Sequence, residues 1–112
     1  NSPDNYEIIK CESTQKFFKS IKLKKNIIKI DTQGYDEIIF QEIPKSVLKK
    51  NQILIIEITP ISEKKINFSK YREKLNFYKK FTDFDGNIYS KDQVIELSKK
   101  TKGKNIDLIF LK

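Results

Sequence analysis

Apolar residues in this chain follow two different spacings, and the two alternate along the sequence. Short isoleucine-rich runs predict strands at residues 6–10, 26–31, 52–58 and 105–112. Between these runs, apolar residues recur at intervals of three and four, which predicts helices. An alternation of strands and helices predicts an α/β domain with a largely parallel sheet and right-handed crossovers.

The predicted helices of the first half begin at recognisable signals. Ser13 or Thr14 can cap a helix that runs through Leu23. The carboxylates of Asp36 and Glu37 suit the positive end of the next helix. A proline ends that helix and can begin a further short one.

The second half adds two helices and a hairpin. Residues 68–78 place aromatic residues and a leucine on one face of a helix. Residues 81–89 alternate around Asp85-Gly86, which predicts a hairpin at the edge of the sheet. Residues 90–93 carry a capping-box pattern, and we expect the helix that they open to end at Gly103.

Charge and composition narrow the classes of partner. The net charge is +8, and Arg72 is the single arginine among 23 basic residues. Arginine is the usual bidentate reader of phosphate and guanine, and the lysines are spread over the whole length. A nucleic-acid partner is therefore disfavoured, in spite of the charge.

The rare residue types exclude several kinds of site. Cys11 is the single cysteine and histidine is absent, so a disulfide framework and a Ser-His triad are excluded within these residues, and a zinc site is disfavoured. No apolar run approaches the ~20 residues that span a bilayer. We expect a cytoplasmic protein that has no membrane partner and no metal; the sequence leaves its oligomeric state open.

Two observations predict a further N-terminal part. The chain contains no methionine, so it does not begin at a start codon. The strand at 26–31 is apolar on both faces and requires a neighbour on each side, whereas the hairpin strand and the C-terminal strand can flank the strand at 52–58. Upstream strands would cover the edge that is left open.

Two predicted strands end in acidic side chains, Asp31 and Glu57. If these strands are adjacent and parallel, their tips lie together at the edge where open α/β sheets bind ligands. The two carboxylates are therefore candidates for acid–base catalysis or for binding a polar ligand. Each also has a plainer interpretation, since Asp31 can fix a turn and Glu57 can pair with a lysine.

Uncharged residues next to these acids complete the predicted site, called here the rim site. They offer hydrogen-bond donors and acceptors, and the glycine allows a close backbone approach to a substrate. The predicted substrate-binding residues are Thr32, Gln33, Gly34, Tyr35 and Thr59. For the glycine, turn geometry alone is the plainer interpretation.

Residues 29–36, K-I-D-T-Q-G-Y-D, resemble the K-I-D-x-x-G-x-E hallmark of the FkbM-type S-adenosylmethionine-dependent methyltransferases. The likeness covers nearly the whole chain. It includes the helix segment at 14–23, the strand I-L-I-I-E-I, the D-x-D-G turn at 83–86 and the closing I-D-L-I-F-L. The chain departs from the family at Asp36, where the family has glutamate, and at Lys16, where an acid is expected.

The resemblance implies the C-terminal half of a Rossmann-like class I methyltransferase sheet, mostly parallel with an antiparallel final strand. Residues 1–112 would form part of a single domain whose cofactor-binding half lies upstream. The strands at 26–31, 53–58, 81–89 and 106–111 would be the fourth to seventh of that sheet.

The resemblance also implies S-adenosylmethionine as the cofactor, with Asp31 near its methyl end. The substrate would be a hydroxyl of a sugar or another small metabolite, with Asp31 or Glu57 as the base. Two alternatives stay open at this point. One is a non-catalytic basic α/β module that binds an acidic partner such as RNA or a glycan phosphate, and the other is a degenerate methyltransferase that only scaffolds.

Overall fold

Within the described residues, five strands form one mixed sheet whose spatial order differs from the order in the chain. The computed structural model describes residues 27–62 and 64–112. The strands are β1 (Ile27–Lys29), β2 (Ile53–Ile58), β3 (Lys80–Asp83), β4 (Ile88–Tyr89) and β5 (Ile106–Leu111). Across the sheet they lie in the order β1-β2-β5-β3-β4. The strand predicted at 6–10 and the helix predicted at 13–23 lie outside the described residues.

The α/β class is confirmed, but the expectation of a mostly parallel sheet is wrong. Among the described strands, β1 and β2 pair in parallel, whereas β2 with β5, β5 with β3, and β3 with β4 pair antiparallel. The physical reason is the position of the last strand. Because the antiparallel β5 lies between β2 and β3, it reverses two pairings, and the hairpin adds a third.

In the part of the chain that the structure describes, four helices connect the strands: α1 (Asp36–Glu42), α2 (Lys45–Lys50), α3 (Phe68–Leu75) and α4 (Lys91–Lys99). The capping box that opens α4 is confirmed, because Ser90 Oγ accepts from Gln93 N at 3.1 Å and Gln93 Oε1 accepts from Ser90 N at 2.7 Å. The predicted end of α4 at Gly103 is wrong. The chain already turns to an extended conformation at Lys100, where ψ is 143°.

The described helices pack on the sheet face that carries the buried residues of each strand. Along β2 every second side chain is buried, at Leu54, Ile56 and Ile58. Phe40 of α1 lies edge-on to Phe110 of β5, with ring centroids 5.3 Å apart. Contacts of this kind add about 0.5–1.5 kcal/mol to the apolar burial. The final strand is therefore attached to the helical layer as well as to its neighbours.

The strand β1 lies at one edge of the described sheet, and the hairpin strand β4 lies at the other. The predicted open edge of β1 thus holds for the described residues, and the hairpin at a sheet edge is confirmed. The expectation that the hairpin strand flanks β2 is wrong, since β3 pairs with β5 instead. Within the two described ranges, none of the helices has the length and apolar character needed to cross a bilayer.

Candidate functional site

The carboxylate of Asp36 joins the tips of β1 and β2. It is 1% exposed. Its Oδ1 accepts hydrogen bonds from the backbone N of Thr32 at 2.9 Å and from the Thr32 hydroxyl at 2.5 Å. Its Oδ2 accepts from the backbone N of Glu57 at 2.9 Å. The two acid-tipped strands are therefore neighbours and parallel, as the sequence predicts, and a buried third carboxylate holds them together.

The two candidate catalytic acids lie at this joined edge. Asp31 is exposed just beyond β1, and Glu57 is half-buried as the next-to-last residue of β2. Neither carboxylate forms an ion pair with a residue of the described ranges. The lysine partner considered for Glu57 is thus absent from that part of the chain, and Asp36, not Asp31, fixes the turn.

Glu57 has a close acidic neighbour that the sequence reasoning missed. Asp107 of β5 lies directly opposite Glu57 in the antiparallel register, so the two side chains point to the same face of the sheet. Thr59 Oγ1 lies 3.4 Å from Glu57 Oε1, to which it donates a long hydrogen bond. This edge is therefore rich in acceptors, as proton removal from a hydroxyl requires.

The turn between Asp31 and α1 explains the glycine. Gln33 has a φ of 52° and Gly34 a φ of 109°, both in the left-handed region, which glycine adopts without a steric penalty. A Cβ on Gly34 would lie 3.6 Å from the side chain of Ile61, an ordinary contact. The conformation, more than the space, requires glycine here, which supports the plainer interpretation.

The predicted substrate-binding residues differ in their availability. Tyr35 is 58% exposed, and Gln33 is exposed. The Thr32 hydroxyl is already engaged by Asp36, and the Thr59 hydroxyl is directed to Glu57. Gln33 and Tyr35 are consequently the two of the five whose side chains are open to a ligand.

The loop that follows β2 is attached to α1 by an ion pair and by a hydrogen bond. Lys64 donates to the Glu37 carboxylate, and the side chains of this ion pair are 3% and 0% exposed. Burial raises the pKa of Glu37, although the hydrogen bond and the charge of Lys64 act in the opposite direction. At the end of the loop, the backbone N of Asn67 donates to Gln41 Oε1 at 2.9 Å. The loop beside the rim site is thus held at two points.

The chain matches no family model, no curated protein and no solved structure. A functional assignment must therefore rest on the residues of the rim site and on their arrangement. Within the described residues, no group of three or more acidic or cysteine side chains is arranged to hold a metal ion. The arrangement offers carboxylates that can accept a proton or bind a cationic group.

Sequence reasoning also missed a cluster of lysines next to this edge. Lys100, Lys102 and Lys104 lie in the segment before β5, called here the lysine loop (residues 100–105), and line a small cavity. A signal was present, because K-T-K-G-K places a lysine at every second position around a glycine. It was obscured by the even spread of the other lysines along the chain.

Proposed function

We propose that this chain is the acceptor-side half of an S-adenosylmethionine-dependent methyltransferase of the FkbM type, which methylates a hydroxyl of a sugar or another small metabolite. One observation carries the proposal. Asp31, two residues beyond β1, and Glu57, the next-to-last residue of β2, lie at the same edge of the sheet because β1 and β2 are parallel neighbours. The next strand in the sheet, β5, is antiparallel, as the resemblance implies for the final strand.

The departure from the family at Asp36 does not weaken the proposal. The family has glutamate at this position, and the side chain of aspartate is shorter by one methylene group. Asp36 contacts both Thr32 and the backbone N of Glu57. The shorter acid is therefore long enough to join the two strand tips.

Methyl transfer to a hydroxyl group has two requirements that the protein must meet. The hydroxyl oxygen must be held in line with the methyl group, and its proton must be removed. In this proposal Asp31 or Glu57 accepts that proton, and the exposed Gln33 and Tyr35 orient the substrate. S-adenosylmethionine supplies the methyl group, and its positive sulfonium suits an exposed carboxylate such as Asp31. The segments that bind the rest of the cofactor are assigned upstream of residue 1.

The experiment is transfer of a labelled methyl group to a panel of small hydroxyl compounds, using the polypeptide together with its upstream segments. We expect Asp31→Asn or Glu57→Gln to lower kcat by about 10²–10⁴-fold, the usual contribution of a general base. Circular dichroism and thermal unfolding should be unchanged. Asp85→Asn, at the exposed tip of the hairpin, is the matched control.

Two results would count against the proposal. Near-normal turnover in both rim variants would exclude these residues as the base. Failure of the longer polypeptide to bind S-adenosylmethionine at all would exclude the methyltransferase assignment itself.

A further inference from the structure

A cavity of about 120 Å³ opens between the end of β2 and the start of β5. Its apolar lining includes Ile58, Pro60 and Ile106, and its charged lining consists of the three lysines of the lysine loop. No acidic residue contributes to its described lining. A small apolar pocket with converging charges of one sign is the usual form of a ligand site for the opposite charge.

This cavity adjoins the rim site. Ile58 follows Glu57 directly at the end of β2, so its side chain points to the helical face of the sheet and the Glu57 carboxylate to the opposite face. Ile58 and Ile106 are paired across β2 and β5. The lysine loop lies against Pro60, since a Cβ on Gly103 would be 4.0 Å from the Pro60 ring. A molecule that contacts both the lysines and the carboxylates of the rim must therefore pass over the strand ends.

The three lysines form no ion pair with any of the described residues. Lys100, Lys102 and Lys104 are exposed. The nearby acids of α4 have other partners, because Glu96 pairs with Lys99 at 3.4 Å and Asp92 with Arg72 at 3.0 Å. Like charges in so short a segment repel one another, and a bound anion would relieve that repulsion.

We propose that the cavity binds an anionic group, a phosphate or a carboxylate, of the small molecule whose hydroxyl is methylated. The inference rests on the proposed function and names the class of its substrate. Lysine binds such groups as a compact point charge. Held by its anionic end, the substrate would extend over the end of β2 to bring its hydroxyl to Asp31 and Glu57, so that binding energy from the non-reacting end orients the reacting one.

The surroundings favour a small anion over a nucleic acid. The lysines that line the cavity come from one loop, and the volume of the cavity is limited. Glu57 and Asp107 lie opposite each other at the adjoining edge, and Asp31 is at the neighbouring strand tip. These carboxylates would repel the successive phosphates of a polyanion, whereas a single anionic group avoids them.

The direct test is an NMR titration of the ¹⁵N-labelled full polypeptide with inorganic phosphate and, separately, with acetate. We expect saturable shifts in the amides of residues 100–106. Each of the variants Lys100→Gln, Lys102→Gln and Lys104→Gln should weaken binding about fivefold, the loss of one unit charge near the anion. Lys79→Gln and Lys80→Gln are the matched controls, because Lys80 pairs with Leu111 at the far end of β5.

The phosphate and acetate titrations distinguish a phosphorylated substrate from a carboxylated one. Saturation with phosphate alone assigns a phosphorylated substrate, and saturation with acetate alone assigns a carboxylated one. The proposal is overturned if neither ion produces saturable shifts, or if the control variants lose as much affinity as the loop variants. It is also overturned if the loop lysines instead contribute to RNA binding with a steep salt dependence.

Failure of this inference is distinguishable from failure of the proposed function. The titration requires no methyl donor. If phosphate binds through the lysine loop while the longer polypeptide does not bind S-adenosylmethionine, the anion site stands and the methyltransferase assignment falls. If methyl transfer is observed without anion binding, the substrate class alone is wrong.

Discussion

Asp36 is a buried carboxylate whose three hydrogen-bond donors come from two chain segments. The nearer donors belong to Thr32, in the turn before α1, and the third is the backbone N of Glu57. A carboxylate has acceptor positions on both oxygens, whereas an amide has an acceptor on one oxygen only. A carboxylate can therefore accept from all three donors, whereas an amide cannot accept through both of its terminal atoms.

Asp36→Asn should destabilise the protein by about 1–3 kcal/mol, because at least one buried N–H would face the amide NH₂ group in place of an acceptor. Urea unfolding measures the change in the free energy of unfolding. Asp92→Asn is the control, since Asp92 also lies in the first turn of a helix but is exposed and pairs with Arg72 on the surface. Equal losses in the two variants would show that Asp36 has no bridging role.

The sequence predicts the positions of Asp31 and Glu57 because each follows an apolar run that can only be a buried strand. It does not predict the role of Asp36. The charge of Asp36 near the start of α1 has an explanation within its own helix, and its second partner is the backbone of Glu57, 21 positions away. Asp107 was missed for a similar reason, because its proximity to Glu57 depends on strand order.

At the scale of secondary structure, the end of α1 is stabilised by another helix. The ammonium group of Lys74, on α3, donates to the backbone oxygen of Gln41 at 3.0 Å and to that of Ile43. These carbonyl groups lie where a helix leaves its last acceptors without partners. Lys74 is 8% exposed, and burial lowers its pKa. The two helices are thus joined through a buried charge.

Lys74→Met should keep the packing of the aliphatic chain and remove both hydrogen bonds. We expect a loss of about 1–3 kcal/mol, because the carbonyl groups stay buried without a donor. Lys70→Met is the control, because Lys70 lies on the same helix but is exposed and pairs with Glu42 at 3.2 Å. Thermal unfolding of both variants makes the comparison, and a midpoint for Lys74→Met no lower than that of Lys70→Met would contradict the expectation.

Local signals predict the elements well where the signal and the element coincide. Ser90 and Gln93 form the capping box that their spacing indicates. The hairpin joins β3 and β4 as expected, but its turn lies at Phe84-Asp85, one residue before the predicted Asp85-Gly86. The predicted end of α4 is wrong although Gly103 has the positive φ that is expected of a glycine after a helix. Gly103 adopts this conformation within the lysine loop, beyond the end of α4. A glycine predicts a positive φ, but a positive φ can occur in a loop as well as at the end of a helix.

At the scale of the whole molecule, we expect Glu37 to make the free energy of unfolding depend on pH. Burial raises its pKa above the ordinary value of 4.5, so the folded protein holds this proton more tightly than the unfolded chain does. The corresponding contribution to the free energy of unfolding is complete below pH 4.5 and is lost as the pH rises through the raised pKa.

The double variant Glu37→Gln/Lys64→Gln removes this contribution. The difference in unfolding free energy between the wild type and the variant should therefore fall as the pH rises above 4.5, which urea unfolding at a series of pH values measures. The exposed pair Lys45–Glu73, changed in the same way, controls for the loss of two charges. A difference that is constant with pH would show that Glu37 does not titrate in this window.

The overall class of the fold follows from the alternation of strands and helices, but the directions of the strands do not. The run I-D-L-I-F-L is apolar on both faces, and such a run fits a central strand of either direction. Its place between β2 and β3 depends on which edges remain open after the other strands have paired. That information is spread over the whole sheet and is absent from the segment itself.

The central position of β5 bears on the order in which the sheet forms. During synthesis β2 and β3 leave the ribosome long before residues 106–111, and each then carries an unpaired edge toward the strand that is still missing. The aromatic contact between Phe40 and Phe110 joins residues 70 positions apart and forms equally late. Until β5 inserts, the edges of β2 and β3 that it covers in the folded protein have no partner strand, and unpaired apolar edges of this kind favour chaperone binding or aggregation.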